Sequence, residues 1–138
     1  MNRDGALLAI DQGTNSSRTI ASSPTGAVLE TAQQPFEPIY LRSDWVEHDS
    51  ELIWSTALVT VRAVLRRLAE RDIQVIAVGI TNQRETTVAW NRRTGAPLCN
   101  AIVWQDRRTA DICRRLADVG EQESLAQRTG LRRDSCFS

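Results

Sequence analysis

The segment "ALLAIDQGTNSSRTIASSPTGAVLETA", residues 6–32, decides the fold. It holds three apolar runs separated by two polar breaks. "ALLAI" at 6–10 suits a short strand buried on both faces. "RTIASS" at 18–23 resumes the strand pattern, "PTG" at 24–26 supplies a turn, and "AVLETA" at 27–32 reads as a third strand. Connections this short between consecutive strands imply antiparallel neighbours. The chain therefore opens with a three-stranded meander.

Further along, "PFEPIYLRSDWVEH" at 35–48 has two prolines and no clean period, and is read as a loop. A helix follows, with Asp49 or Ser50 as N-cap and Glu51 at the positive end of its dipole. Trp54, Leu58, Val61, Leu65 and Leu68 recur at helical spacing and are expected to face the core. "IQVIAVGI" at 73–80, almost wholly apolar, reads as a central strand covered on both faces. "VAWN" at 88–91 and "LCNAIVW" at 98–104 are expected to pair as a hairpin around "RRTG". "QDRRTADICRRLADV" starts a second helix with Ala110, Cys113, Leu116 and Ala117 inward, and residues 121–138 hold a short helix and a loop. A meander followed by helix, strand and helix is an α/β order with a mixed sheet. It excludes a dinucleotide-binding Rossmann unit, whose first strand runs directly into a helix.

Composition narrows the function. The 138 residues suffice for one domain, with 41% hydrophobic and 25% charged residues. Seventeen acidic residues balance seventeen basic ones, so no global field draws in nucleic acid or an anionic membrane. Every basic residue is arginine; a lysine-dependent Walker A loop is excluded, and cation chemistry falls to guanidinium groups. Cys99, Cys113 and Cys136 form no CxxC pair, and His48 is the only histidine. Neither a zinc site nor a disulfide framework is expected. No apolar run reaches the ~20 residues of a membrane span, and the expected location is cytoplasmic.

The first break in the meander, Asp11 to Arg18, is richer than a turn requires. Gly13 permits close approach of backbone to a phosphate. Thr14, Asn15, Ser16 and Ser17 offer small donors, Arg18 a cation that forks onto phosphate oxygens, and Asp11 a carboxylate for Mg²⁺ through water. The plain alternative is a polar loop whose glycine serves only a positive φ, and short Gly/Ser motifs do not separate the two. A second cluster lies at two strand ends, where ligands of open α/β sheets gather. There Thr81-Asn82-Gln83-Arg84-Glu85 and Gln105-Asp106-Arg107 follow apolar runs. Arg84 and Glu85 offer donors and acceptors suited to vicinal hydroxyls, and Trp104 can cover a carbon face. A surface ion pair beside a core tryptophan is the equally simple alternative. In "WVEHD" at 45–49, Trp45 and Val46 are expected to staple the helix start, with His48 and Asp49 capping it rather than catalysing.

"AIDQGTNSSR" closely resembles the first phosphate motif of the FGGY family of sugar and polyol kinases. "WVEHD", "GITNQRET", "NAIVWQDRRT" and "TGL" at 129–131 are similar, in order and interval, to the glycerol-phosphorylating members of that family. The resemblance covers nearly the whole chain. It implies an actin-like ATPase, ribonuclease H-like fold, of which residues 1–138 are the N-terminal portion of the first kinase domain. The remainder of that domain and the second domain are absent from these residues. It further implies ATP-dependent phosphorylation of glycerol to sn-glycerol 3-phosphate, with ATP and Mg²⁺ as cofactors. Asp11, Gly13, Thr14, Asn15, Ser16 and Arg18 match the nucleotide and metal side; Thr14, Arg84, Glu85, Trp104 and Cys136 match the glycerol side. Cys136 departs from the pattern, standing in "DSCFS" where the family carries a tyrosine; a thiol is shorter and a weaker donor. The general base is expected beyond residue 138, so the isolated chain is expected to be inactive. Glycerol and ATP or ADP are the expected ligands, with no nucleic acid partner, and the resemblance allows a homo-oligomer of the full-length protein. Another sugar or polyol kinase of the family and a noncatalytic interaction module are the alternatives.

Overall fold

The computed structural model describes residues 5–118, 121–131 and 134–135. In chain order the elements are β1 (Ala6–Gln12), β2 (Ser16–Ser22), β3 (Val28–Pro35), β4 (Ile39–Arg42), β5 (Trp45–His48), α1 (Ser50–Ala69), β6 (Val75–Thr81), β7 (Ala101–Ile102), α2 (Ala110–Asp118) and α3 (Glu121–Thr129). They form two compact units, Met1–Glu37 with Ser50–Gln83, and Pro38–Asp49 with Arg84–Ser138.

The first unit carries the expected meander in a mixed four-stranded sheet of order β3-β2-β1-β6. β1 pairs antiparallel with β2 and parallel with β6, the parallel partner being reached through α1. The β1–β2 ladder runs on to Asp11↔Arg18 and Gln12↔Ser17, so only Gly13, Thr14 and Asn15 form the tip. Leu8, Ala6 and Ala21 from the sheet and Val64 and Leu68 from α1 make the buried core.

One expectation for this unit fails in part. Of the expected α1 stripe, Leu68 is buried and Val61 packs against the core, but Trp54 is 61% and Leu65 40% exposed, and Thr56, Thr60 and Val64 are buried beside Leu68 instead. The helix has rotated because it meets two hydroxyls on β2. Ser17 and Thr56 share a buried hydrogen bond of 2.9 Å, and Thr19 and Thr60 another of 2.9 Å. Paired hydroxyls bury at little cost, so periodicity of apolar residues alone misplaces the face. β6 is the last strand of the four-stranded sheet that these residues form, and its Ile76, Val78 and Ile80 side chains are exposed.

The helix ends as its sequence does not advertise. Asp72 takes a left-handed φ of 55°. Its amide donates to Ala69 O at 3.1 Å, and the Ile73 amide donates to Leu68 O at 2.9 Å. These are the two bonds of a Schellman cap, with aspartate where glycine is usual.

In the second unit, residues 39–48, expected to be a loop, form the β4–β5 hairpin. The prolines lie just outside it, and the Ser43-Asp44 tip closes the turn. Trp45 and Val46 thus belong to a strand rather than to a helix staple, and Val46, Glu47 and His48 are buried. β5 pairs antiparallel with β7 through Glu47↔Ile102 and His48↔Ala101. The expected pairing of 88–91 with 98–104 is present as antiparallel bridges at Thr87↔Ile102 and Trp90↔Pro97, with the Leu98 amide donating to Ala89 O at 2.9 Å and the Asn91 amide to Ala96 O at 2.8 Å. Leu116, expected inward on α2, is 45% exposed.

Candidate functional site

The hairpin tip is held from three sides within its own unit. The Gly13 amide donates to Ser16 O at 3.0 Å, and the Phe36 amide donates to Asn15 O at 3.1 Å. The Gln12 side-chain amide donates to Gly13 O at 2.9 Å. Gly13 is not in a left-handed conformation, which rules out that reason for its presence. A Cβ there would stand 3.2 Å from Ser16 O, so the tightness of the loop itself favours glycine.

Asp11 and Arg18 face each other across the ladder, and the Arg18 Nη2 donates to Asp11 Oδ2 at 2.8 Å. Their side chains are 35% and 44% exposed. The tip residues Thr14 and Asn15 and the flanking Ser16 are solvent-accessible, and Ser16 Oγ accepts from Gln33 Nε2 at 2.9 Å. Ser17 is different: it is fully buried against Thr56 and is not a donor of the tip. What remains is a short loop with accessible hydroxyls and amides, flanked by one carboxylate and one guanidinium. Such a set suits phosphate oxygens. Among the described residues no group of three or more His, Cys, Asp or Glu could hold a metal ion. A single accessible carboxylate fits Mg²⁺ bound chiefly by water and phosphate, not a cage of protein ligands.

In the second unit a cavity of about 110 Å³ is lined by Glu85, Thr87, Ile102, Val103, Trp104, Asp106, Arg108, Thr109 and Ser135. This volume is far below the ~300–1,000 Å³ of sites for drug-sized ligands, and admits only a small molecule. Glu85 and Trp104, read from two separate strand ends, come together here. Trp104 is 41% exposed, which excludes its reading as a core residue. Glu85 has a φ of 63°, a left-handed backbone that a non-glycine residue adopts at a cost. Arg84 is exposed and is not part of the lining. Cys136 lies outside the described residues. Its neighbour Asp134 accepts from Arg107 Nη1 at 2.8 Å.

A charged cluster that sequence reasoning missed underlies this cavity. Asp106 is 4% exposed. It accepts from the Val46 amide at 2.8 Å, the Arg108 amide at 2.9 Å, Arg108 Nε at 2.8 Å and Arg108 Nη2 at 2.7 Å. The same Nη2 donates to Glu47 Oε1 at 2.7 Å, and Asn100 Nδ2 donates to Glu47 Oε2 at 3.0 Å. The Arg108 guanidinium lies 4.0 Å from the centroid of the Trp45 ring. Burial pushes the Asp106 carboxyl upward, but the hydrogen bonds and charge of Arg108 outweigh it and hold the group below its ordinary range. Arg108 is correspondingly driven further above the usual arginine range, first by its bond to Asp106. The only sequence signal was indirect: "WVEHD" and "WQDRR" carry complementary charges far apart in the chain.

A three-stranded meander, a crossing helix and a parallel strand, with a polar tip after β1, define a domain of the actin-like, ribonuclease H-like sugar kinases. The model of the FGGY family of carbohydrate kinases, N-terminal domain, matches residues 6–138, and the chain belongs to that family. Among curated relatives, a glycerol kinase of Cereibacter sphaeroides is 52% identical over 132 residues, and one of Paraburkholderia phytofirmans 48% over 136. These alignments cover 96% and 99% of this chain but 27% of each relative. The chain thus spans about a quarter of their length. The crystal structure of Plasmodium falciparum glycerol kinase with ADP superposes with a TM-score of 0.90 at 30% identity, covering 97% of this chain and 27% of that one. A gluconate kinase from Lactobacillus acidophilus, at 17% identity, 96% and 26% coverage and a TM-score of 0.81, shares the fold.

Proposed function

We propose that these residues supply the phosphate-binding hairpin and the polyol pocket of a kinase that transfers the γ-phosphoryl group of ATP to a terminal hydroxyl of glycerol. The product is sn-glycerol 3-phosphate. The observation that carries this reading is the small cavity in which a carboxylate, Glu85, stands with a half-exposed indole, Trp104. A triol needs acceptors for its hydroxyls and an apolar cover for its carbons, and a cavity of about 110 Å³ suits a molecule of that size. Arg84, next to Glu85 in the chain and exposed, is the further donor, and the family resemblance assigns the remaining contact to Cys136.

On the nucleotide side, Gly13, Thr14, Asn15, Ser16 and Arg18 take phosphate oxygens, and Thr14 also contacts the product phosphate. When bound, Mg²⁺ neutralises charge on the phosphates, and Asp11 is the residue that holds it through water. Arg18 bonded to Asp11 keeps both side chains on the ladder's open side, ready to exchange that bond for phosphate and hydrated ion. We assign no general base among the 138 residues. Asp106 is buried, fully bonded and held acidic, which makes it a poor acceptor for an alcohol proton. We accordingly assign residues 1–138 to the N-terminal portion of the first kinase domain, working in the cytoplasm. The relatives' names support glycerol as the substrate.

Two measurements test this. In a coupled ADP-release assay with glycerol and Mg-ATP, the 138-residue chain gives no turnover; rates near those of a complete kinase contradict the assignment. In nucleotide titrations, Arg18→Gln weakens Mg-ATP binding roughly tenfold or more, the scale of a lost charge-assisted bond, while unchanged affinity removes Arg18 from the site.

A further inference from the structure

We propose that Arg108 is a positioning residue of the polyol pocket: clamped between Glu47 and Asp106 and stacked on Trp45, it fixes the turn that presents Trp104. The proposal rests on the polyol reading of that cavity and adds a residue to it.

Backbone holds this turn at a few points only: Ile102 exchanges two 2.9 Å bonds with Thr87, and the Arg107 amide donates to Asp44 O at 2.9 Å. β7 is two residues long and pairs with β5 at only two positions. Beyond it, the Val103 amide donates to Val46 O at 3.0 Å, and the Asp106 amide donates to Val103 O at 2.8 Å. The latter bond closes a β-turn over Val103–Asp106, with Trp104 and Gln105 at its central positions. A turn on so short a strand has few ladder bonds to fix its direction. The side chain that closes the turn, Asp106, is instead held by a guanidinium and by the Val46 amide. Arg108 reaches across to Glu47 on β5 with the same Nη2, and Glu47 in turn holds Asn100 just before β7. The clamp therefore grips the residues on both sides of β7 and ties them to β5.

Its chemistry requires arginine. Nε and Nη2 address Asp106 and Glu47 at once while the flat guanidinium lies on Trp45. A lysine ammonium supplies the charge without the fork or the stacking plane. Because two carboxylates meet this one cation, its charge is already spent within the cluster. The pocket wall then offers no net positive field to an anion, which suits a neutral polyol.

The test uses the chain with Arg108→Lys and, independently, Trp45→Leu, which removes the shelf and leaves every charge in place. Glycerol affinity is measured by calorimetry, and the indole N–H of each tryptophan is followed by nuclear magnetic resonance, with Trp104→Phe identifying its signal. The expected result is a shifted or broadened Trp104 signal and at least tenfold weaker glycerol binding in both variants, with the signal of Trp54 on α1 unmoved. The clamp is overturned if the Trp104 signal stays in place, or if it moves while glycerol affinity holds within twofold; a lower melting temperature alone counts as the second case. If the unmutated chain binds no glycerol, the polyol reading fails by itself, and the Trp104 signal still decides whether the clamp exists.

Discussion

Glu85 is the residue at which backbone strain and proposed chemistry coincide. Its φ of 63° costs about 1 kcal/mol relative to glycine, a cost tolerated where a side chain is required. Glu85→Gly is therefore expected to raise stability by about 1 kcal/mol in denaturant titrations while glycerol binding is lost. A loss of stability would mean that the carboxylate serves the fold. Asp106 gives a second expectation, in pH. Its folded-state pKa lies below the ordinary aspartate range, so the unfolded chain takes up its proton first as pH falls. The stabilisation is thus fully present above about pH 4 and declines as pH drops below that value toward the folded pKa. Asp106→Asn should flatten the acid limb of a stability–pH curve and lower its plateau; a parallel curve would show that the carboxylate's charge is immaterial. Legibility at this scale was uneven. Glu85 and Trp104 were found because each follows an apolar run, whereas Arg108 was not, since its role depends on Trp45 and Glu47, remote in sequence.

Among the elements, α1 teaches most about what a sequence conceals. Its apolar periodicity is genuine, yet the face it buries carries Thr56 and Thr60. Two hydroxyl pairs with β2 choose that face, and a hydrophobic pattern assigns them to solvent. The Thr19–Thr60 pair makes the point testable, since both groups are within 1% of full burial. Thr60→Val strands the Thr19 hydroxyl and should cost roughly 1–3 kcal/mol, whereas Thr19→Val with Thr60→Val together should return near the starting stability. Additive losses in this double-mutant cycle would show that the hydroxyls do not act as a pair. The β4–β5 hairpin was hidden by different physics: prolines at 35 and 38 suggested a loop, but both stand before its first residue, Ile39.

For the whole molecule, the order of strands and helices was readable because turns and apolar runs are local properties. The meander, α1 and the parallel return of β6 follow from it directly. Family membership follows from the match over residues 6–138, while the chain spans 27% of the length of its glycerol kinase relatives. Direct titration of glycerol into the chain by calorimetry tests whether Glu85 and Trp104 make the pocket we propose. Saturable binding that Glu85→Ala and Trp104→Ala each abolish is expected; absence of saturable binding, or binding indifferent to both substitutions, overturns the proposed pocket.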